Sequence, residues 1–249
     1  MKLENPSGGY SFLRGIAPYS AGVISLGGYE IVHARFASPP PLDEGFRRVR
    51  VHLDGTGRPA QAVCGIELRS PSPFTFEGFS EFNKSYVRVL ESWGVLLEGK
   101  LNPVARTNVA PEIDAPRMPS LYGFSYTVKS DNNAPTFVVA GGGELPEGSL
   151  VPQDIVRYGE VSPEALAAKA RFVMGLMSGR LNGLGVDWDA VTATNVYTVH
   201  PIHSFLPEEV VRPMAGGAMH GITWHFSRPP IVAIEYEMDA RGCRREIVI

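Results

Sequence analysis

Cysteine is scarce in this chain, and its scarcity excludes two kinds of scaffold. The 249 residues contain two cysteines, Cys64 and Cys243, which lie in different halves of the sequence. Two cysteines so far apart supply neither a disulfide framework nor the closely spaced ligand pairs of a zinc site. We therefore expect a protein of a reducing compartment, the cytoplasm.

Long hydrophobic runs and blocks of like charge are also missing. No stretch reaches the roughly 18 consecutive apolar residues of a membrane span, and the first residues lack the apolar core of a signal peptide. The net charge is −3 at pH 7, with no basic tract or acidic tail. These absences predict a soluble protein that binds neither nucleic acid nor a membrane.

What the chain does contain is enough apolar sequence for a large core or two ordinary ones. Apolar residues make up 44% and charged residues 20% of the chain, which are globular values. The 27 glycines and 21 prolines indicate many turns.

The second half shows the most regular patterns. Residues 163–183 have helical spacing of apolar side chains, with Ser162 as N-cap and Pro163 at the first helical position. Strands are expected at 137–140, 190–199 and 231–238, the last from its strict alternation.

The first half is predicted to be mostly strands with one helix. Residues 76–93 carry an apolar stripe at helical spacing, and 23–32 indicate two short strands broken by Gly27-Gly28. Residues 49–53 and 60–68, which flank Asp54-Gly55-Thr56-Gly57, predict a β-hairpin. Further strands are expected at 107–109 and 122–128, followed by a short polar link at 129–135.

Several short motifs occur in the same order in the two halves and resemble one family. In the first half these are Ala17-Pro18-Tyr19, residues 79–86 and Pro103-Val104-Ala105-Arg106-Thr107; in the second they are residues 137–142, 184–197, 218–221 and 234–237. Each half thereby resembles the RidA (YjgF) family of small trimeric imine and enamine deaminases.

The resemblance implies an α+β fold made of two tandem RidA-like (chorismate-mutase-like) units, each a mixed β-sheet with helices on one face. We place the units at 1–130, with the first helix replaced by the hairpin, and at 131–249, with the second helix shortened to about 207–211. It also implies a homo-oligomer, a trimer.

The family's chemistry implies candidate catalytic residues. In RidA enzymes an arginine holds the substrate carboxylate, and a water positioned by backbone groups and a glutamate attacks the imine carbon. Arg106 matches the arginine, and its planar fork suits a carboxylate. Glu235 matches the glutamate, and His220 stands where the second half has lost the arginine, as a candidate acid or base. A solvated loop arginine and an outward-facing strand glutamate are the alternatives.

Three more positions match substrate-binding residues of the family. Tyr19 and Asn83 would orient the substrate by hydrogen bonds, and His33 replaces a serine with a group that titrates near neutral pH. A packing tyrosine and a solvated asparagine are the alternatives for the first two. His200 and His203 stand close together in the sequence, but no carboxylate spacing accompanies them, so we expect no metal and no cofactor.

Three functions remain open at this stage. The first is a hydrolase or deaminase that adds water to a C=N carbon of a small carboxylate held by Arg106. The second is a ring-opening amide hydrolase or an enol-ether hydrolase, since cyanuric acid hydrolase, barbiturase and chorismatases are built from RidA-like units. The third is a non-catalytic protein that binds a small metabolite.

Overall fold

Two mixed β-sheets stacked face to face form the centre of the protein, and helices cover both outer faces. This computed structural model describes residues 2–149 and 151–249. The helices are α1 (Leu42–Gly55), α2 (Phe76–Ser92) and α3 (Pro163–Leu184). The strands are β1 (Lys2–Asn5), β2 (Tyr10–Leu13), β3 (Gly22–Ser25), β4 (Tyr29–Arg35), β5 (Val63–Arg69), β6 (Ala105–Pro111), β7 (Ser120–Lys129), β8 (Phe137–Gly143), β9 (Ala193–Tyr197), β10 (Thr223–His225), β11 (Ser227–Arg228), β12 (Glu237–Gly242) and β13 (Arg245–Val248).

Each sheet takes strands from both sides of residue 130. The first sheet has the order β1-β2-β3-β8-β12-β9-β10, and the second has the order β11-β6-β5-β7-β4-β13. The first three strands of the chain therefore join the sheet of the second half through the pairing of β3 with β8, and β11 and β13 complete the sheet of the first half. The division into two tandem units and the trimeric assembly stay predictions.

Alternation along the strands explains how the layers are filled. On β8, Phe137 and Val139 pack toward α3, whereas Val138 and Ala140 pack between the sheets. On β12, Met238 and Ala240 belong to the core under α3. The alternate residues of β12 lie on its opposite face. This face directs Glu237, Asp239 and Arg241 into the space between the sheets.

The helices predicted at 76–93 and 163–183 are confirmed as α2 and α3. The Ser162 hydroxyl accepts a hydrogen bond from the N–H of Ala165, Pro163 begins α3, and Gly185 ends it in the left-handed region at φ 87°. Thr75 caps α2 in the same way by accepting from the N–H of Gly78.

In the part of the chain that the structure describes, no helix is both long and apolar enough to cross a bilayer.

The predicted hairpin around Asp54-Gly55 is wrong, because residues 42–55 form α1. Its buried side chains Phe46, Val49 and Leu53 follow helical spacing and pack on the second sheet, while Val51 is 61% exposed. The alternation of Val49, Val51 and Leu53 imitates a strand only because Val51 is an apolar residue on the solvent side. The first half therefore keeps the helix that the hairpin was expected to replace.

The predicted strand at 231–238 is also wrong over most of its length, since β12 begins only at Glu237. Before it the chain turns at Ala233, which has φ 74°. The buried carboxylate of Glu144 accepts hydrogen bonds from the N–H groups of Glu235 (2.7 Å) and Tyr236 (3.0 Å), which are therefore not available to a strand ladder. Lys169 of α3 forms an ion pair with Glu144 at 3.1 Å and holds it in place.

The remaining irregular segment lies where a shortened second helix is predicted. Residues 206–211 and 212–220 form two short helical segments, and the second is interrupted at Ala215, where φ is 46°. Together they cover the first sheet beside α3.

Candidate active site

A cavity of about 100 Å³ lies where β6 and α2 of the first half meet β8, α3 and β12 of the second half. We call it the first cavity. The residues used below that line it are Tyr19, Phe79, Arg106, Asn108, Gly141, Gly142, Arg180 and Glu237. Residues from both halves of the chain thus share one site.

Arg106 is a buried cation whose guanidinium group lies against aromatic rings. Its side chain is buried at 3% exposure, and its guanidinium carbon lies 4.5 Å from the ring centroid of Tyr19 and 4.9 Å from that of Tyr86. One N–H donates to Oδ1 of Asn83 at 2.6 Å. Burial lowers the pKa of Arg106, yet an arginine stays protonated in proteins. Its remaining N–H groups are available to an anion in the cavity.

Glu237 is the acidic group of the same cavity. Burial, followed by the nearby charge of Asp239, raises the pKa of Glu237 well above its ordinary value. Among the described residues, none donates a hydrogen bond to its carboxyl group. A neutral carboxylic acid facing an open space can give a proton to a substrate and afterwards accept one from water.

Glycines at the end of β8 make room for these side chains. A Cβ on Gly141 would overlap Oε1 of Glu237, and a Cβ on Gly142 would lie 3.1 Å from Nη1 of Arg180. The glycines at the end of β8 are therefore required by the side chains that they face.

Two further polar residues line the cavity. Arg180 of α3 donates to the carbonyl oxygen of Ala140 (2.7 Å) and to Oε1 of Glu147 (2.9 Å), so its charge is already compensated. Asn108 is buried, and its Oδ1 accepts from the Ser70 hydroxyl at 2.9 Å. Its Nδ2 has no acceptor within the described part of the chain, and a ligand oxygen would satisfy it.

The structure brings three of the predicted site residues together, namely Tyr19, Asn83 and Arg106. It places the other three elsewhere. Glu235 lies outside the cavity, where its Oε2 is 2.8 Å from Nε2 of His200. The side chain of His220 is exposed and is not among the lining residues. His33 is buried between the sheets, 3.2 Å from the Ser125 hydroxyl, in a different cavity.

Three polar residues of the first cavity were not predicted from the sequence: Glu237, Arg180 and Asn108. Glu237 belongs to the same Ile-Glu-Tyr-Glu motif as Glu235, and of the two only Glu237 is among the residues that line the first cavity. Of the histidines that were weighed as metal ligands, His200 lies 2.8 Å from Glu235 and His203 packs edge-on against Trp224. Within residues 2–149 and 151–249, no three metal-binding side chains come together.

In this α+β fold a buried arginine and a protonatable carboxyl group line one cavity, an arrangement that can bind a small carboxylate and exchange a proton with it. Comparison with known proteins identifies the class of this protein as a deaminase, an enzyme that cleaves a C–N bond. Residues 2–247 match the family described as 2-aminomuconate deaminase CnbZ, and the chain belongs to this family. The binding-protein alternative is thereby set aside.

One relative is similar over nearly its whole length. The 2-amino-5-chloromuconate deaminase of Comamonas testosteroni is 44% identical over 245 residues, which cover 97% of this chain and 96% of that one.

Solved structures show only distant likeness. A chorismatase is 10% identical, with a TM-score of 0.47 over 97% of this chain and 78% of that one. The YjgF gene product of E. coli is 17% identical, with a TM-score of 0.29 over 44% of this chain and 81% of that one. RidA-like proteins are thus among the structures that this chain resembles, but with such TM-scores nothing about its substrate or assembly follows from them.

Proposed function

We propose that this deaminase releases ammonia from a conjugated amino dicarboxylate of the 2-aminomuconate type, in the first cavity. The printed names of the family and of its relative support the substrate class. The observation that carries the proposal is that Arg106 and Glu237 line the same cavity.

The chemistry follows from the two side chains. Arg106 binds the carboxylate next to the amino-bearing carbon and fixes that carbon in the cavity. Protonated Glu237 gives its proton to the far carbon of the enamine C=C bond, which turns the enamine into an iminium ion that keeps both N–H protons. The carboxylate that remains takes a proton from water as the water oxygen attacks the C=N carbon.

The second half of the reaction returns the enzyme to its starting state. Glu237 passes the proton to the nitrogen of the carbinolamine, the C–N bond breaks with the electron pair leaving on nitrogen, and ammonia departs. The hydroxyl proton of the carbinolamine returns to Glu237 as the C=O bond forms. The sum is one enamine and one water converted to one ketone and one ammonia, with Glu237 protonated at the start and at the end and no cofactor required. The free N–H of Asn108 is available to a substrate oxygen during these steps.

The test is ammonia release from 2-aminomuconate by the wild-type chain and by Arg106→Gln. Loss of two charge-assisted hydrogen bonds, each worth about 1.5–3 kcal/mol, predicts a fall in kcat/KM of about 10²–10⁴-fold. Arg212→Gln, in which an exposed arginine paired with Glu208 is replaced, is the control and is expected to keep the wild-type rate. Undiminished ammonia release by Arg106→Gln, or hydrolysis of a ring amide or enol ether without ammonia release, would contradict the proposal.

A further inference from the structure

Two acidic residues of β12, Glu237 and Asp239, lie side by side between the sheets, and only the first has a role in the chemistry above. Both are buried, at 5% and 4% exposure. Residues two apart in a strand point to the same face and lie about 7 Å apart, so the two carboxyl groups share one region of low dielectric. Two buried carboxylates this close repel each other, and the protein favours the state in which one of them keeps its proton.

Strand β9 supplies two hydrogen-bond donors to Asp239. Asn195, which lies opposite Asp239 in the register of β9 and β12, donates from Nδ2 to Oδ1 of the aspartate at 2.7 Å. Tyr197 lies opposite Glu237, yet its hydroxyl group donates to Oδ2 of Asp239 at 2.9 Å. Both oxygens of Asp239 therefore accept a hydrogen bond, which stabilises its ionised form.

A histidine fixes the direction of the Asn195 amide. Nε2 of His225 lies 3.0 Å from Oδ1 of Asn195. Burial lowers the pKa of His225 to about 4, so the ring is uncharged near pH 7 and can donate one N–H to this amide oxygen. The NH₂ group of Asn195 is thereby left to face Asp239.

Glu237 has no comparable support. Its neighbours on β8 are glycines, since it pairs with Gly143 and a Cβ on Gly141 would overlap its Oε1. A glycine has no side chain that could donate, and among the described residues no other side chain donates to this carboxyl group. The surroundings of Glu237 therefore favour its neutral form.

The charged surroundings of the pair act in both directions. The titratable groups that face Glu237 are Asp239 on β12, Arg180 on α3, Arg106 on β6, and Glu144 and Tyr19 in the loops beside them. Those that face Asp239 are Glu67 on β5, Arg241 on β12 and Tyr197 on β9. Burial raises the pKa of both carboxyl groups, and raises that of Glu237 well above its ordinary value. The hydrogen bond from Asn195 lowers the pKa of Asp239 in return, so Asp239 is the better place for the negative charge.

We propose that Asp239 is a positioning residue of the deamination: it carries the negative charge of the pair, so that Glu237 keeps the proton that it gives to the substrate. This role rests on the proposed function of Glu237 as the acid, and it names the group that keeps the acid in its working state. Asp239 is not among the residues that line the first cavity, so it acts through Glu237 and not on the substrate.

The first test is the pH dependence of ammonia release from 2-aminomuconate by the wild type and by Asp239→Asn. Asparagine keeps the shape of the side chain and can still bond to Asn195 and Tyr197. Removal of one charge about 7 Å away should move the fall of kcat/KM at high pH downward by about 1–2 pH units, with rates on the acid side within about threefold of the wild type. Asp54→Asn, which replaces an exposed aspartate of α1, is the control and should keep the wild-type profile.

The second test locates the proton without turnover. The infrared difference spectrum between the wild type and Glu237→Gln contains the C=O band of the protonated carboxyl group of the pair. This band should shift when glutamate carboxyl groups carry ¹³C and stay in place when aspartate carboxyl groups do. The measurement needs no substitution of Asp239, so it decides the matter even if Asp239→Asn fails to fold.

Three outcomes have distinct meanings. A band that shifts with labelled aspartate puts the proton on Asp239 and overturns the proposed role. An Asp239→Asn profile that falls at the wild-type pH, or that is lowered equally at every pH, also overturns it. Absence of ammonia release by the wild type would overturn the proposed function itself, and it is distinguishable from the other two because the infrared bands do not depend on turnover.

Discussion

Replacement of Glu237 and Glu235 by glutamine distinguishes the site in the structure from the one predicted by sequence. The two residues belong to one motif and differ by two positions. Glu237 lines the first cavity, whereas the carboxylate of Glu235 pairs with His200 at 2.8 Å outside it. Glutamine keeps the size of either side chain and removes its ability to exchange a proton.

The expected loss can be worked from the role assigned to Glu237. A single positioned acid or base contributes about 10²–10⁴-fold to the rate, which corresponds to about 2.7–5.4 kcal/mol of barrier. Glu237→Gln should therefore lower kcat by that factor, with a smaller effect on KM because Arg106 still binds the carboxylate. Glu235→Gln removes a half-exposed interaction and should change kcat by less than about twofold.

The assay is steady-state ammonia release across pH, with Tm measured for each variant. Since the reaction begins with protonated Glu237, wild-type kcat/KM should fall as pH rises through its raised pKa, and Glu237→Gln should lack this limb. If Glu235→Gln loses the activity and Glu237→Gln keeps it, the assignment made from the structure is refuted and the one made from the motif is restored.

The same substitution has a predictable effect on stability. The folded-state pKa of Glu237 lies above the unfolded value of 4.5, so the fold binds this proton more tightly than the unfolded chain does. The resulting stabilisation is complete below pH 4.5 and is lost as pH rises through the folded pKa. Glutamine carries no such proton, and Glu237→Gln should be more stable than the wild type at alkaline pH. Equal slopes of Tm against pH for the two proteins would contradict this.

Two further substitutions test how the structure holds the site. Gly141→Ala places a methyl group where Oε1 of Glu237 lies, and displacement of the carboxyl by about 1 Å should lower kcat about 10²-fold; Gly27→Ala, where a Cβ meets open space, is the control, and equal rates would disprove the close fit. Lys169→Met leaves a buried carboxylate without its cation and should lower the free energy of unfolding by about 3–5 kcal/mol in urea titrations. Lys84→Met breaks an exposed pair and should cost under about 1 kcal/mol, and a similar loss for both lysines would show that burial of the pair is unimportant.

Local sequence was sufficient where the determining contacts are local. Ser162, Pro163 and Gly185 mark the ends of α3 because caps act within one helical turn, and the apolar spacing between them sets its buried face. The same logic failed for α1, since Val51 makes a helix look like a strand and only packing on the second sheet selects Phe46, Val49 and Leu53 as the buried set.

The candidate site, too, was predictable from the sequence only in part. The motifs around Tyr19, Asn83 and Arg106 were sufficient to predict three residues that the structure brings into contact. The sequence also singled out the Ile-Glu-Tyr-Glu stretch, but residues two apart share a strand face, so alternation could not show which of Glu235 and Glu237 lines the cavity.

Only the tertiary structure makes that choice. Glu144, held by Lys169 of α3, takes the N–H groups of Glu235 and Tyr236 and so delays the start of β12 until Glu237. The carboxyl group then meets the space left by Gly141, nearly one hundred positions earlier in the chain. The sequence by itself determined which residue types the enzyme carries and where most helices and strands form. Contacts between distant segments decided which of two identical side chains faces the first cavity.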